Sequence, residues 1–383
     1  MKSVRWIRTL IAGAIIALSS LTGAAMADSI KIGSFLAVTG PASFLGDPEK
    51  KTLELYVDKL NGEGGINGQQ VELTLYDTGL SAKEALTFVK RLISEDQVDL
   101  IVGGTTTGET MAVLKEIEKA EIPFISLAGA SVIIDPPKKW VFKTPHTDAM
   151  AVDMVYRDMK KQGISKIGLI AGAGGFDKSC MKNADALAAG AGISIVITET
   201  YGKGDNDMTP QLTKIKNAGV DATLFCGFGG ASSIVTKNYA QLGIEAPLYH
   251  THGSCSKGFI NGAGDAANGV RLPCAALLVA DQLADDDPQK SIGLEYIKTY
   301  TEKYGGDIST FGGHAYDALF LAVEAFKRAG GTDKAKVRDA IEAIKNFVGV
   351  DGIFNMSETD HMGLSLNSFK MLEVTDGGWK YLY

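Results

Sequence analysis

The sequence predicts an α/β protein made of two doubly wound parallel-sheet lobes joined by a hinge that the chain crosses more than once. Three observations carry this. Short β-rich runs alternate with helical stretches from residue 30 to residue 126, the same alternation restarts at residue 166, and after Asn268 the rhythm changes to long helices followed by short strands. Alternation of this kind is the signature of a parallel sheet covered by helices on both faces.

In the first unit the runs at 30–35, 71–76, 98–102 and 123–126 read as strands. Between them 52–60, 82–94 and 110–120 carry apolar residues at helical spacing. In the second unit the strands fall at 166–170, 194–199, 222–225 and 247–250, separated by helices near 178–190, 208–218 and 230–242. A strand at 270–279 then leads through an acidic, Pro-containing turn at 285–288 into three helices at 289–304, 310–329 and 333–346, with closing strands that include 369–374 and 379–383. Helices after 280 cannot extend the second unit without breaking its alternation, so the chain is expected to return to the first lobe and cross back. The implied division is a first lobe of 28–146 plus 277–350 and a second of 147–276 plus 351–383.

The beginning of the chain reads as a secretory signal peptide over 1–27. Lys2, Arg5 and Arg8 form a positive segment, an apolar stretch follows, and Ala25-Met26-Ala27 is a small-x-small cleavage site. Cleavage would start the mature chain at Asp28 and place a soluble protein in the periplasm. The apolar run is broken by Ser19, Ser20 and Thr22, too short and polar for a membrane span. Without the leader the charge moves from −7 to −10, with 35 basic against 45 acidic residues. An acidic chain without a basic run is a poor partner for nucleic acid or anionic membrane. Four cysteines in an oxidising compartment allow three complete pairings. Cys255 and Cys274 flank one loop and helix and are the first expectation for a bridge; Cys180 and Cys226 either pair or stay buried as thiols.

The stretch 101–131, IVGGTTTGETMAVLKEIEKAEIPFISLAGAS, sets three threonines, two glycines and a serine where two strands run out. A phosphate cradle would need Lys then Ser or Thr after the last glycine, yet Gly108 is followed by Glu109 and Thr110. What remains is a gentler anion or carboxylate site made of hydroxyls and backbone N–H groups. Other motifs fail on their own chemistry. KIGLIAGAGGFDKS imitates a dinucleotide fingerprint, but Asp177 occupies the third glycine's place and would repel pyrophosphate. His250, His252 and Cys255 suggest a metal, but alternating residues at a strand end face opposite ways. No cofactor or metal is expected, and no Gly-x-Ser-x-Gly elbow, paired-carboxylate motif or His-Glu-x-x-His helix appears. His314, at a helix start, reads as a core or hinge hydrogen-bonder, and Tyr316 and Asp317 as structural.

Several stretches together resemble the type I periplasmic solute-binding proteins of the branched-chain amino acid (leucine/isoleucine/valine) class, the secreted components of ABC importers. They are IKIGSFLAVTGPASFLGDPEKKTLELYVDKLNGEGGINGQQVELTLYDTG, GGTTTGETMAV, IPFISLAGAS, FGGHAYDALFLAVEAFKRAGG and the terminal DGGWKYL. The resemblance spans essentially all of the mature chain. It implies the type I periplasmic binding protein fold, a cleft that closes on a small ligand by hinge motion, docking to ABC permease subunits in the inner membrane, no catalysis, and a monomer. By resemblance, Thr107 stands where the family places a hydroxyl on the ligand carboxylate, with Thr106 beside it. Ala128, Ala130 and Ser131 match the small residues after the next strand. The plainer account, that these Thr and Ser cap a helix and a turn, is compatible with it.

In the facing lobe Phe176 occupies the place of a frequent family Tyr, and Phe228 lies on another strand-end loop. Together they suggest an apolar wall, with Phe44 a cleft-edge contact or a surface packing residue. Family members that bind α-amino acids tend to carry an acid in the middle of the triplet matching Thr251-His252-Gly253. Here that position is His252, so the resemblance points to a carboxylate with a hydrophobic, aromatic or keto-acid body as well as to an amino acid. Two other functions remain open to such a chain, a receptor that presents its closed form to a membrane sensor and a secreted α/β enzyme.

Overall fold

The structure, a computed structural model, describes residues 29–202 and 204–383. The leader at 1–27 lies outside the described residues. The first sheet is built from β1 (Ile30–Leu36), followed by α1 (Ser43–Gly62), β2 (Val71–Asp77), α2 (Ala82–Ser94), β3 (Leu100–Gly103), α3 (Thr107–Ala120), β4 (Phe124–Ser126) and β5 (Val141–Lys143). Its order is β2-β1-β3-β4-β5, all parallel. Alternate residues of β1 feed two cores. Ile30, Ile32 and Leu36 join Leu53 and Tyr56 of α1, while Phe35 on the other face joins Val89 and Leu92 of α2 and Val113 and Ile117 of α3. Burial on both faces is why these strands read as near-continuous apolar runs.

The chain then crosses through α4 (Asp148–Lys161) into β6 (Lys166–Ala171), α5 (Gly175–Ala191), β7 (Ser194–Thr200), α6 (Thr209–Asn217), β8 (Ala222–Cys226), α7 (Gly230–Gln241), β9 (Leu248–His250), α8 (Lys257–Ala263) and β10 (Arg271–Ala275). It leaves again for α9 (Pro288–Tyr304), α10 (Thr310–Ala329) and α11 (Lys334–Glu342), whose Tyr296, Ala318, Phe326 and Val337 belong to the same core as β1 and α1. After the short hairpin β11 (Phe347–Val348) and β12 (Ile353–Phe354), β13 (Phe369–Thr375) and β14 (Gly378–Tyr381) close the second sheet. Its order is β14-β13-β10-β9-β8-β6-β7, antiparallel only where β13 and β14 are added. Tyr383 ends on this sheet by donating to Asp158 at 2.8 Å, an acid that also accepts from Tyr249 and pairs with Arg271.

Four differences from the sequence reading have physical causes. The helix expected at 52–60 begins at Ser43 and runs on through Pro48 in its second turn, whose missing N–H costs it one backbone bond without ending it. The strand expected at 270–279 ends at Ala275, the last residue paired with β13. Beyond it the chain turns through a 3₁₀ segment, and Leu277 enters the first core while Leu278 and Val279 enter the second. The helix expected at 333–346 stops at Glu342, before left-handed Asn346. The strand β5 was not expected at all: it is three residues long and carries a lysine, Lys143, that is wholly buried. Both cysteine pairs form disulfides, Cys180–Cys226 joining α5 to β8 and Cys255–Cys274 joining the segment before α8 to β10.

Gly104 sets the course of the chain as it leaves β3. It adopts φ +71°, and a Cβ there would sit 2.4 Å from the Thr110 hydroxyl, which is bonded to the Gly104 carbonyl and to Ser126. Gly104→Ala is expected to lower stability by about 1–3 kcal/mol, seen as a lower urea midpoint with an unchanged denaturant slope.

Candidate functional site

In an open α/β sheet a ligand site lies beyond the carboxyl ends of the strands where the order reverses. Here those points are the ends of β1 and β3 in one sheet and of β6 and β8 in the other, and the two pairs of ends face each other. The three threonines after β3 divide the labour. Thr105 accepts from Ala37 N–H at 3.0 Å and donates to Glu49 at 2.5 Å, pinning the loop after β1 to the loop after β3. Thr106 caps α3, accepting from Glu109 N–H while the Glu109 carboxylate accepts from Thr106 N–H at 3.0 Å, a reciprocal box. Thr107 is the first residue of α3, 3% exposed, and its hydroxyl has no hydrogen-bond partner among the described residues.

Across from Thr107, β6 runs out into Gly172 and α5 begins at Gly175. A Cβ on Gly175 would lie 3.3 Å from the Thr107 methyl, and one on Gly129 only 2.6 Å from His252 Nε2. The lobes therefore touch through glycines. Between them lies an inner chamber of about 40 Å³, lined on one side by Leu45, Thr105, Thr106, Thr107 and Leu127 and on the other by Phe176, Phe228 and His252. Phe311 and His314 of α10 complete the wall. On this measure one water takes roughly 10–15 Å³, so a leucine-sized ligand requires the lobes to draw apart. Phe176 and Phe228, edge to face at 6.0 Å, separate the chamber from an outer cavity of about 330 Å³ that shares Thr106 and Thr107 and runs past Gly172 and Tyr201.

Of the site residues expected from sequence, Thr106, Thr107, Phe176, Phe228 and His252 come together on the chamber wall. The others do not line it. Ala128 and Ala130 are buried in the core of α2 and α3. Ser131 faces the lobe boundary, where its hydroxyl accepts from Asn183 at 3.0 Å. Phe44 packs edge-on to Phe311 at 5.9 Å and against Gly229, at the rim. Cys255, one of the three residues that suggest a metal in sequence, is bonded to Cys274.

His314 is the hydrogen-bonder that its place at a helix start suggests, with Nδ1 2.6 Å from Asp351, yet it also lines the chamber. The signal was there in the two glycines before it. Glycine inside a helix costs about 1 kcal/mol against alanine, and Gly312 and Gly313 are tolerated because a Cβ would meet the Tyr296 hydroxyl at 2.2 Å and Leu277 at 2.9 Å. They let α10 press against α1 and the crossing segment, which delivers His314 to the chamber.

The electrostatics are unusual for an amino-acid site, because none of the lining residues is acidic. Burial pushes His252 well below its ordinary pKa, reinforced by Lys143 and His314. Burial, with Lys143, pushes His314 down to about 3. Both rings are thus uncharged near neutral pH, and His252 Nδ1 has no hydrogen-bond partner among the described residues. Behind the wall, Glu49 is wholly buried and its carboxyl is pushed up by that burial, against the bond from Thr105. Lys143, also wholly buried, donates to the His146 carbonyl at 3.3 Å and is pushed down to about 7 by burial, against the pull of Asp148 and Asp351.

Residues 29–378 match the family described as periplasmic binding protein, and the chain belongs to that family, in its type I, branched-chain amino acid class. It is 25% identical over 319 residues to a leucine-, isoleucine-, valine-, threonine- and alanine-binding protein of Pseudomonas aeruginosa, covering 83% of each chain. It is 27% identical over 339 residues to a Leu/Ile/Val-binding protein homologue of Brucella suis, covering 85% of this chain and 84% of that one. A crystal structure of an extracellular ligand-binding receptor from Rhodopseudomonas palustris superposes with a TM-score of 0.87 at 28% identity, over 93% of this chain and 100% of the other. Among the described residues no helix is long and apolar enough to cross a membrane.

The Lys143 pKa has a measurable consequence. Unfolded, the ammonium titrates near ~10.4; folded, at about 7. Between those values the unfolded chain binds more protons, so stability rises with pH across that window. Urea unfolding followed from about pH 7 to about pH 9 is expected to show this rise, and Lys143→Met to flatten it.

Proposed function

We propose that the chain is the ligand-capturing component of an ABC importer, exported to the periplasm by the leader at 1–27, and that it holds a small carboxylate with a hydrophobic body and no ammonium group. The observation that carries this reading is the chamber wall. One end offers the unpartnered Thr107 hydroxyl at the start of α3, where a helix N-terminus supplies free N–H groups and roughly half a positive charge. The rest is aliphatic, phenyl and uncharged imidazole.

A carboxylate fits the first and a hydrocarbon or aromatic body the second. An ammonium fits neither, since a buried charge without an opposite partner costs several kcal/mol. The acids bonded to lining residues, Glu49, Glu109 and Asp351, are engaged by Thr105, Thr106 and His314 respectively. The amino acids in the P. aeruginosa relative's name share the α-carboxylate, which is the part of the ligand the Thr107 end would keep. Lobe closure around the occupied chamber would then present a changed surface to permease subunits in the inner membrane. Binding without turnover is expected, and loss of uptake in a deletion strain would separate transport from presentation to a sensor.

The reading is tested by a thermal-shift screen of protein stripped of carried-over ligand by unfolding and refolding, in which each amino acid is paired with its keto acid and benzoates, phenylpropenoates and short aliphatic acids are added. A ligand at 100 times its Kd adds ~2.7 kcal/mol of stability. Hits are expected among non-amino carboxylates; hits confined to leucine, isoleucine and valine would overturn the reading. With a hit in hand, Thr107→Ala is expected to weaken binding by about 1–3 kcal/mol, measured by calorimetry. His252→Glu is expected to shift preference toward α-amino acids, measured as the affinity ratio of leucine to its keto acid.

A further inference from the structure

The pair His314–Asp351 has a geometry that a mere core contact does not require. Asp351 is wholly buried in the turn between β11 and β12. Asp317, one turn after His314 on α10, accepts from Val350 N–H and Asp351 N–H, both at 2.8 Å. Those two bonds fix the turn so that the Asp351 carboxyl stands 2.6 Å from His314 Nδ1, with the Asp317 carboxyl beside it. The Thr144 hydroxyl holds the His314 carbonyl at 2.9 Å. The ring is thus aimed by three neighbouring segments, and with Nδ1 committed, Nε2 is the nitrogen left for the chamber.

We infer that His314 contacts the ligand through Nε2–H as a hydrogen-bond donor, and that this selects a 2-oxo carboxylate over the matching amino acid or unsubstituted acid. The inference rests on the carboxylate reading of the chamber. At 2.6 Å the pair shares one proton on the Nδ1 side. If the pair is uncharged overall, Nε2 keeps its hydrogen whether that shared proton sits on oxygen or on nitrogen. Nε2 is bare only when a carboxylate faces a neutral ring protonated on Nδ1, which would set a net negative charge beside the incoming anion. Burial acts in the same direction, raising the Asp351 carboxyl and lowering the His314 ring. The hydrogen bond with the Asp317 carboxyl and, after it, Lys143 draw Asp351 the other way, the lysine being itself pushed down to about 7. A 2-oxo group accepts and cannot donate, an ammonium donates and cannot accept, and a methylene does neither. Only the first satisfies a buried N–H, and a buried donor left unsatisfied is costly.

The test is calorimetric titration of the ligand-free protein with two matched sets, 4-methyl-2-oxopentanoate, 4-methylpentanoate and leucine, then phenylpyruvate, 3-phenylpropanoate and phenylalanine. In at least one set the oxo acid is expected to bind about tenfold or more tighter than the unsubstituted acid, and His314→Phe to bring the two within about twofold. Equal binding of the oxo and unsubstituted acids by the native protein, which needs no variant to fold, overturns the role of His314 and leaves the carboxylate reading intact. Retained preference in a folded His314→Phe protein overturns it too. Binding of none of the six overturns this inference, and binding of the amino acids alone overturns the carboxylate reading with it.

Discussion

An anion taken out of water must be met by hydrogen-bond donors, and for the carboxylate proposed here they would come from neutral groups. Around the chamber the fold supplies no acid and no cation on the wall, only a helix N-terminus, a hydroxyl, two uncharged imidazoles and glycine-flanked backbone. That constraint accounts for much of the local architecture. Thr107 is free to face inward because Thr106 takes over the capping of α3 and Thr105 ties the neighbouring loops together. The helix end is therefore both satisfied and open, which a single threonine could not achieve.

Ionisable groups are not absent from the hinge; they are kept one layer back. Lys143, His146, Asp317 and Asp351 are all at most 1% exposed, and burial drives each of them toward its uncharged form. Buried charges of this kind seldom add net stability. Their arrangement makes sense as a means of orienting side chains that do reach the chamber, as Asp351 does for His314. Of these, Lys143 and His146 lie where the chain passes from β5 of the first sheet into α4.

Contact between the lobes is equally specific. Gly129 and Gly175 let backbone approach side chain across the cleft, and Ser131 and Asn183 join at the boundary. The phenyl rings of Phe176 and Phe228 bury themselves in or against cores on the opposite lobe. They serve as the wall of the inner chamber and as its division from the outer cavity. An apolar wall of this kind gives affinity in proportion to area, roughly 25 cal/mol per Å², but little discrimination, which must come from the few polar atoms that remain.

Most of the α/β alternation, the change of rhythm after Asn268 and the stretch that lines one side of the cleft were legible in the amino-acid order, because strand and helix periods and the residues that end them are local properties. So were Thr107, Phe176, Phe228 and His252, which lie at strand ends where a doubly wound sheet places its ligands. What the sequence could not decide was which strand-end residues face inward. Ala128, Ala130 and Ser131 are next to the chamber in sequence but turn into a core or a lobe boundary, whereas His314, Phe311 and Leu45 reach it from helices far away along the chain. Orientation at a strand end depends on one or two backbone angles and on what packs behind, here Asp351 across 37 residues and Gly312 against Tyr296. Those are long-range contacts, and of them only the Gly312-Gly313 pair leaves a local trace in the sequence.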